Sequence, residues 1–88
     1  MVLESLGAWS SVERGIDMMA ADGRIEAIVL QFRGAFGDVF KIFENINSES
    51  MQMVRHFVAG RFENFDLSSS SIERSDGRVV HALHIVAS

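Results

Sequence analysis

The chain has no cysteine. This excludes a disulfide framework, a thiol nucleophile and a thiolate metal site, and it fits a reducing compartment. Long apolar runs are missing as well. The longest, as in Ala27–Leu30, is four residues, against the ~20 that a membrane-spanning helix needs. Met1-Val2-Leu3-Glu4 lacks the basic start and extended apolar segment of a secretory signal. The expectation is a cytoplasmic protein with no membrane partner.

Positive charge is scarce. Eight basic residues stand against twelve acidic ones, giving a net charge of −4. The excess falls early, where Glu4, Glu13, Asp17 and Asp22 face Arg14 alone in residues 1–23. Such a chain exerts no general attraction on nucleic acid, and a local basic patch would work against the overall field. Seven of the eight basic residues are arginine, the cation suited to bidentate pairing and stacking at interfaces. Codon bias would leave the same mark.

What is present is ordinary globular composition, 48% hydrophobic and 23% charged, enough for one domain over residues 1–88. All seven phenylalanines fall between Phe32 and Phe65, and the rest of the chain reads as packing around them. Phe36, Val39, Phe40, Phe43 and Ile46 recur at spacings of three and four, which predicts a helix over 35–46 with its apolar face in the core. Asp38, Lys41, Glu44 and Asn45 fall on its opposite face.

Upstream, Ser10 and Glu13 are spaced as a capping box, and Val12, Ile16, Met19 and Ala20 share a face. The periodicity extends back to Leu3, and Gly23 is placed to end this helix in a left-handed conformation. Residues 24–32 match both a strand and a helical face. Asp22-Gly23-Arg24 recurs as Asp76-Gly77-Arg78, and the second copy leads into the clearest strand of the chain, so 24–32 is read as a strand. After Asn47-Ser48, an N-cap signal, a further helix is expected over 48–59. It buries Met51, Val54, Phe57 and Val58 and ends at Gly60, with Gln52, Arg55, His56 and Ala59 facing outward.

Residues 65–88 read as a β-hairpin about Asp76-Gly77. A two-residue turn there sets Val80 opposite Glu73 and Leu83 opposite Ser70. Val79–Ala87 is apolar on both faces, which makes it a central strand, flanked by the polar strand carrying Ser68-Ser69-Ser70-Ser71 and by residues 24–32. The resulting fold class is α+β, in the order α-β-α-α-β-β, with a three-stranded antiparallel or mixed sheet beneath the helices. This order resembles that of the winged helix-turn-helix family. The resemblance implies that residues 48–59 act as a recognition helix and that the turn at Ser75–Arg78 acts as the wing. The chain departs from the family in its long first strand and in a wing whose Arg74 and Arg78 are balanced by Glu73 and Asp76.

No catalytic constellation emerges. Gly34-Ala35-Phe36-Gly37-Asp38 sits where phosphate-binding loops sit, but it lacks their third glycine, lysine and hydroxyl, and Asp38 would repel phosphate. His81 and His84, three apart on a strand, point to opposite faces and share no metal. Ser, His and Asp are all present without an arrangement. The expectation is no enzyme, no cofactor and no metal.

Two functional readings remain. The first is a small acidic regulatory module that works by protein–protein contact, as a homodimer or as an inhibitor of a nucleic-acid-handling enzyme. Its contacts would come from Trp9, Asp17, Met18 and Met19 on the first helix and from the serine-strand edge. Adjacent Met18 and Met19 cannot both be buried against one neighbour, and Met51 and Met53 likewise point to different sides. The second reading is a winged-helix-like transcriptional regulator, with Gln52, Arg55, His56 and Arg61 reaching base edges.

Overall fold

The computed structural model describes residues 5–88, with side chains from Trp9 onward. Helix α1 runs over Ser5–Ala21; the expected start near Leu3 lies outside the described residues. Its end is built as expected. Gly23 has φ +72°, its N–H bonds to the Ala20 carbonyl at 3.1 Å, and the Arg24 N–H bonds to the Met19 carbonyl at 2.9 Å. Two carbonyls of the last turn are thereby satisfied. Ser10 lies inside the helix rather than at its cap, and Glu13 pairs with Arg55 instead.

The 24–32 stretch forms strand β1, Ala27–Phe32. The expected helix over 35–46 is not there. Residues 33–38 form a loop, and Val39–Phe43 form a second strand, β2. Two glycines account for part of the difference. Gly37 holds φ +122°, and a Cβ on Gly34 would come within 2.7 Å of the Gly37 carbonyl oxygen, so the loop needs glycine at both positions, and each glycine would cost a helix interior about 0.5–1 kcal/mol relative to alanine. The rest lies in periodicity. Val39, Phe40, Ile42 and Phe43 are apolar on both faces of a short strand, which mimics i, i+3, i+4 spacing.

Helix α2 covers Ser48–Val58. Asn47 caps it reciprocally: its side chain accepts the Ser50 N–H and its own N–H donates to Ser50 Oγ, both at 2.9 Å. Strands β3 (Phe65–Glu73) and β4 (Val79–Ala87) complete the chain. Their hairpin is offset by one residue from the expected register. Ile72 faces Val80 and Ser69 faces Leu83. The Arg74 N–H bonds to the Arg78 carbonyl at 2.8 Å, which leaves a three-residue loop with Gly77 at φ +86°. A left-handed glycine after the turn is the geometry such loops adopt.

The domain is α+β, in the order α-β-β-α-β-β, with a four-stranded sheet arranged β2-β1-β4-β3. Strand β4 is central, as its composition implies. It runs parallel to β1 and antiparallel to β3, and β1 is antiparallel to β2. With residues 35–46 in a loop and a strand, α2 has no preceding helix to form a helix-turn-helix pair. The topology that suggested the winged-helix resemblance is absent.

Both helices pack on one face of the sheet. Ile28, Leu30, Leu83 and Ile85 meet Trp9 and Ile16 from α1 and Met51, Val54 and Val58 from α2. Ile16, Ile28, Leu30, Ile85, Val54 and Val58 are fully buried, each worth roughly 1.5–3 kcal/mol. The phenylalanines line this core rather than fill it. Phe32, Phe43, Phe57, Phe62 and Phe65 are partly buried against it, while Phe36 and Phe40 are exposed. Among the described residues no helix covers the other sheet face. A smaller cluster of Ala27, Val80 and Ala82, flanked by Val29 and Ile72, sits there. The β3–β4 hairpin tip closes one end of it by reaching β2, where the Ser75 N–H donates to Glu44 Oε1 at 2.6 Å.

Candidate functional site

Strand β2 is the shortest strand and an outer one. Side chains alternate across it, so Val39, Lys41 and Phe43 face the helices while Phe40 and Ile42 face the uncovered side. The registers confirm the assignment, with Phe43 opposite Ile28 and Ile42 opposite Val29. Phe40 and Ile42 are 56% and 58% exposed, Val39 is 51% exposed, and Phe36 at the tip of the preceding loop has no cover at all.

This apolar surface does not stop at the strand. Ile42 and Met53 line a shallow depression of about 270 Å³ together with Glu44, Asn47 and Glu49. Met53 and Glu49 then contribute to a second depression of about 250 Å³ along α2, walled by Gln52, His56 and Phe57. An apolar band therefore wraps from the open sheet face, around the β2 edge, onto α2. Phe36, Val39, Phe40, Ile42 and Met53 are all large apolar side chains left exposed, and exposed apolar side chains gathered at one edge, rather than scattered singly, are what mark an interaction surface. Its rim is acidic, with Asp38, Glu44 and Glu49. The Lys41 Nζ lies 5.2 Å from the Phe57 ring centroid, a cation–π contact that holds it on the helix side.

The Glu44 carboxyl is held below the usual glutamate range. The Ser75 N–H bond to it is the main cause and a bond from the Ser75 side chain the second. The Arg74 charge adds to these against slight desolvation and the Asp76 charge.

Of the side chains expected to make protein contacts, the structure separates two from two. Asp17 and Met18 point outward on α1, whereas Met19 is packed against the core. Trp9 is 5% exposed, its ring 5.4 Å from Phe65 between centroids; it belongs to the interior and not to a contact surface. Met51 is buried and Met53 exposed, as their spacing implies. Gln52, Arg55, His56 and Arg61 are all exposed. Arg55, however, is committed within the chain, donating to Glu13 Oε1 from Nε at 3.0 Å and from a terminal nitrogen at 2.6 Å.

The glycine loop at 34–38 leads into a strand and not a helix, and Asp38 accepts from Gln31 Nε2 at 2.6 Å. Gln31 Oε1 in turn accepts from His84 Nε2 at 2.8 Å, so His84 is tied into a polar chain on the uncovered face. His81 is exposed and points to the other face of the same strand. Among the described residues no three His, Asp or Glu side chains converge on one point, and no helix is long and apolar enough to cross a membrane.

Comparison with family models, with curated proteins and with solved structures finds no match. The band around β2 does not show in the sequence, because Phe36, Val39 and Phe40 also fit a buried helical face. The available signal was Gly34 and Gly37, which disfavour a helix at that point.

Proposed function

We propose that the protein is a small, acidic, non-enzymatic binding module that acts by protein–protein contact through the band around β2. The observation that carries this reading is the continuity of exposed Phe40 and Ile42 with Met53 across the strand edge. An outer strand edge beside apolar side chains is a recurrent peptide-docking arrangement, and the central Lys41 that disfavours pairing with a second β2 leaves it open to a peptide of another sequence. The acidic rim of Asp38, Glu44 and Glu49 suits a partner whose apolar surface is bordered by arginine and lysine. A nucleic-acid-handling enzyme held in check by this chain is one such partner, and the net charge of −4 favours it.

The DNA-reading alternative through Gln52, Arg55, His56 and Arg61 draws less support. Arg55 already serves Glu13, and the acidic balance opposes a duplex.

The test compares immobilised wild-type protein with Phe40→Ser and Ile42→Ser, each checked for unchanged circular dichroism, in extracts of the source cells. A protein retained by the wild type and lost by both variants supports the reading. Identical retention by all three overturns it. Retention of a DNA duplex that Arg55→Ala abolishes would put the alternative in its place.

A further inference from the structure

Among the described residues nothing pairs with the outer edge of β2 or of β3, and the two edges differ. Strand β2 is five residues long with Lys41 at its centre. A two-fold antiparallel pairing of β2 with a second β2 sets Lys41 against Lys41 and Asp38 against Glu44. Moving the axis to Phe40 or Ile42 still leaves the two lysines on a diagonal, and like charges so placed guard an edge against self-pairing.

Strand β3 has no such guard. It is nine residues long, Phe65–Glu73, without proline or lysine, and the ladder to β4 runs unbroken from Phe65 to Glu73. Asn64 and Ser88 exchange both backbone bonds, at 3.1 and 3.0 Å, and the Arg74 N–H bonds to the Arg78 carbonyl at 2.8 Å. In an antiparallel ladder these bonds alternate, so even-numbered residues of β3 turn their N–H and C=O toward β4. Phe65, Leu67, Ser69, Ser71 and Glu73 therefore direct theirs to the open edge.

We infer that a second copy of this chain occupies that edge, pairing β3 with β3 about a two-fold axis at Ser70. This register is self-complementary. Ser69 of each copy faces Ser71 of the other, Leu67 faces Glu73, and Asp66 faces Arg74, giving two opposite-charge pairs and no like charges opposed. The outward groups of residues 67, 69, 71 and 73 form about eight backbone hydrogen bonds. Four small serine side chains at the seam let the two sheets join with no bulky side chain in the way. A two-fold contact closes on itself and stops at the dimer. The product is a continuous eight-stranded sheet whose outermost strands are the two β2 strands, roughly 33 Å apart. The inference goes beyond the protein-contact reading above, since it uses the opposite edge of the sheet and leaves both β2 bands free.

Sedimentation equilibrium over a wide micromolar range tests it. The wild type is expected at twice the 9.8 kDa chain mass. Ser69→Pro removes one outward donor and fills the edge with a ring, leaving the β4 ladder intact, and is expected to be monomeric with an unchanged circular dichroism spectrum. Asp66→Arg and Arg74→Asp are each expected to weaken the dimer at least tenfold, and the double exchange to restore it. A monomeric wild type overturns the inference, as do a mass rising beyond the dimer, a Ser69→Pro dimer, or single exchanges that behave as wild type. Phe40→Ser and Ile42→Ser are expected to keep the dimer, so failure here and failure of the β2-band reading are separable.

Discussion

Arg55 on α2 grips Glu13 on α1, one guanidinium nitrogen lying 2.6 Å from the carboxylate. The pair joins the two helices above the sheet, and it removes from the outward face of α2 the cation best suited to reading DNA. Its side chains are 56% and 21% exposed, so solvent screens much of the attraction. A double-mutant cycle with Glu13→Gln and Arg55→Gln is expected to give a coupling of about 0.2–1 kcal/mol, smaller at high salt. A coupling near zero in denaturant titrations at low salt would show that the pair is not held in solution.

The division between core and surface is testable at two residues that the sequence places alike. Ile28 is fully buried and Phe36 fully exposed. Ile28→Ala is expected to cost about 2–5 kcal/mol, while Phe36→Ala is expected to stay within about 0.5 kcal/mol of wild type. Chemical denaturation measures both. A large loss for Phe36→Ala would mean that its loop is packed as the helical reading requires.

Trp9 is buried, and among the described residues its indole N–H has no hydrogen-bond acceptor. Trp9→Ala is expected to cost about 3–5 kcal/mol through the cavity beside Phe65. Trp9→Phe keeps most of the ring contact and removes the unpaired donor, so its cost is expected to be well under half of that. Equal losses in thermal or denaturant unfolding would sink this account of the site.

Glu44 carries a pH prediction. Its folded pKa is depressed, chiefly by the Ser75 N–H and then by the Ser75 side chain. The contribution to stability is therefore fully present above the unfolded glutamate pKa and is lost as pH falls through the lower, folded value. NMR titration should show the Glu44 carboxyl protonating below the ordinary glutamate range, with the Ser75 amide shift moving in step. Glu44→Gln should abolish that movement. Protonation at or above the ordinary value would mean that the hairpin tip does not rest on β2.

Much of the local structure was legible in the residues. Gly23 ends α1, Asn47 begins α2, and the apolar run at Val79–Ala87 marks the central strand, because each signal acts within a few residues of itself. Residues 35–46 are ambiguous in sequence, because apolar side chains on both faces of a short strand satisfy a helical template equally well. The hairpin register is open by one residue in sequence, because Asp76-Gly77 is compatible with loops of two or three residues, and only the ladder from Phe65 to Glu73 selects one. The candidate surface was illegible for the same reason as β2: a residue assigned to the core is not sought on the outside.

The sequence by itself determined the class of the domain, the absence of thiol chemistry, the acidic balance and the residues that end or cap each helix. These follow from composition and from backbone preferences that neighbours do not change. Tertiary structure decided which apolar side chains are inside. Phe40 and Ile42 differ from Leu30 and Ile85 in position and not in chemistry: both helices pack on one face of the sheet, and among the described residues no helix lies over the other face.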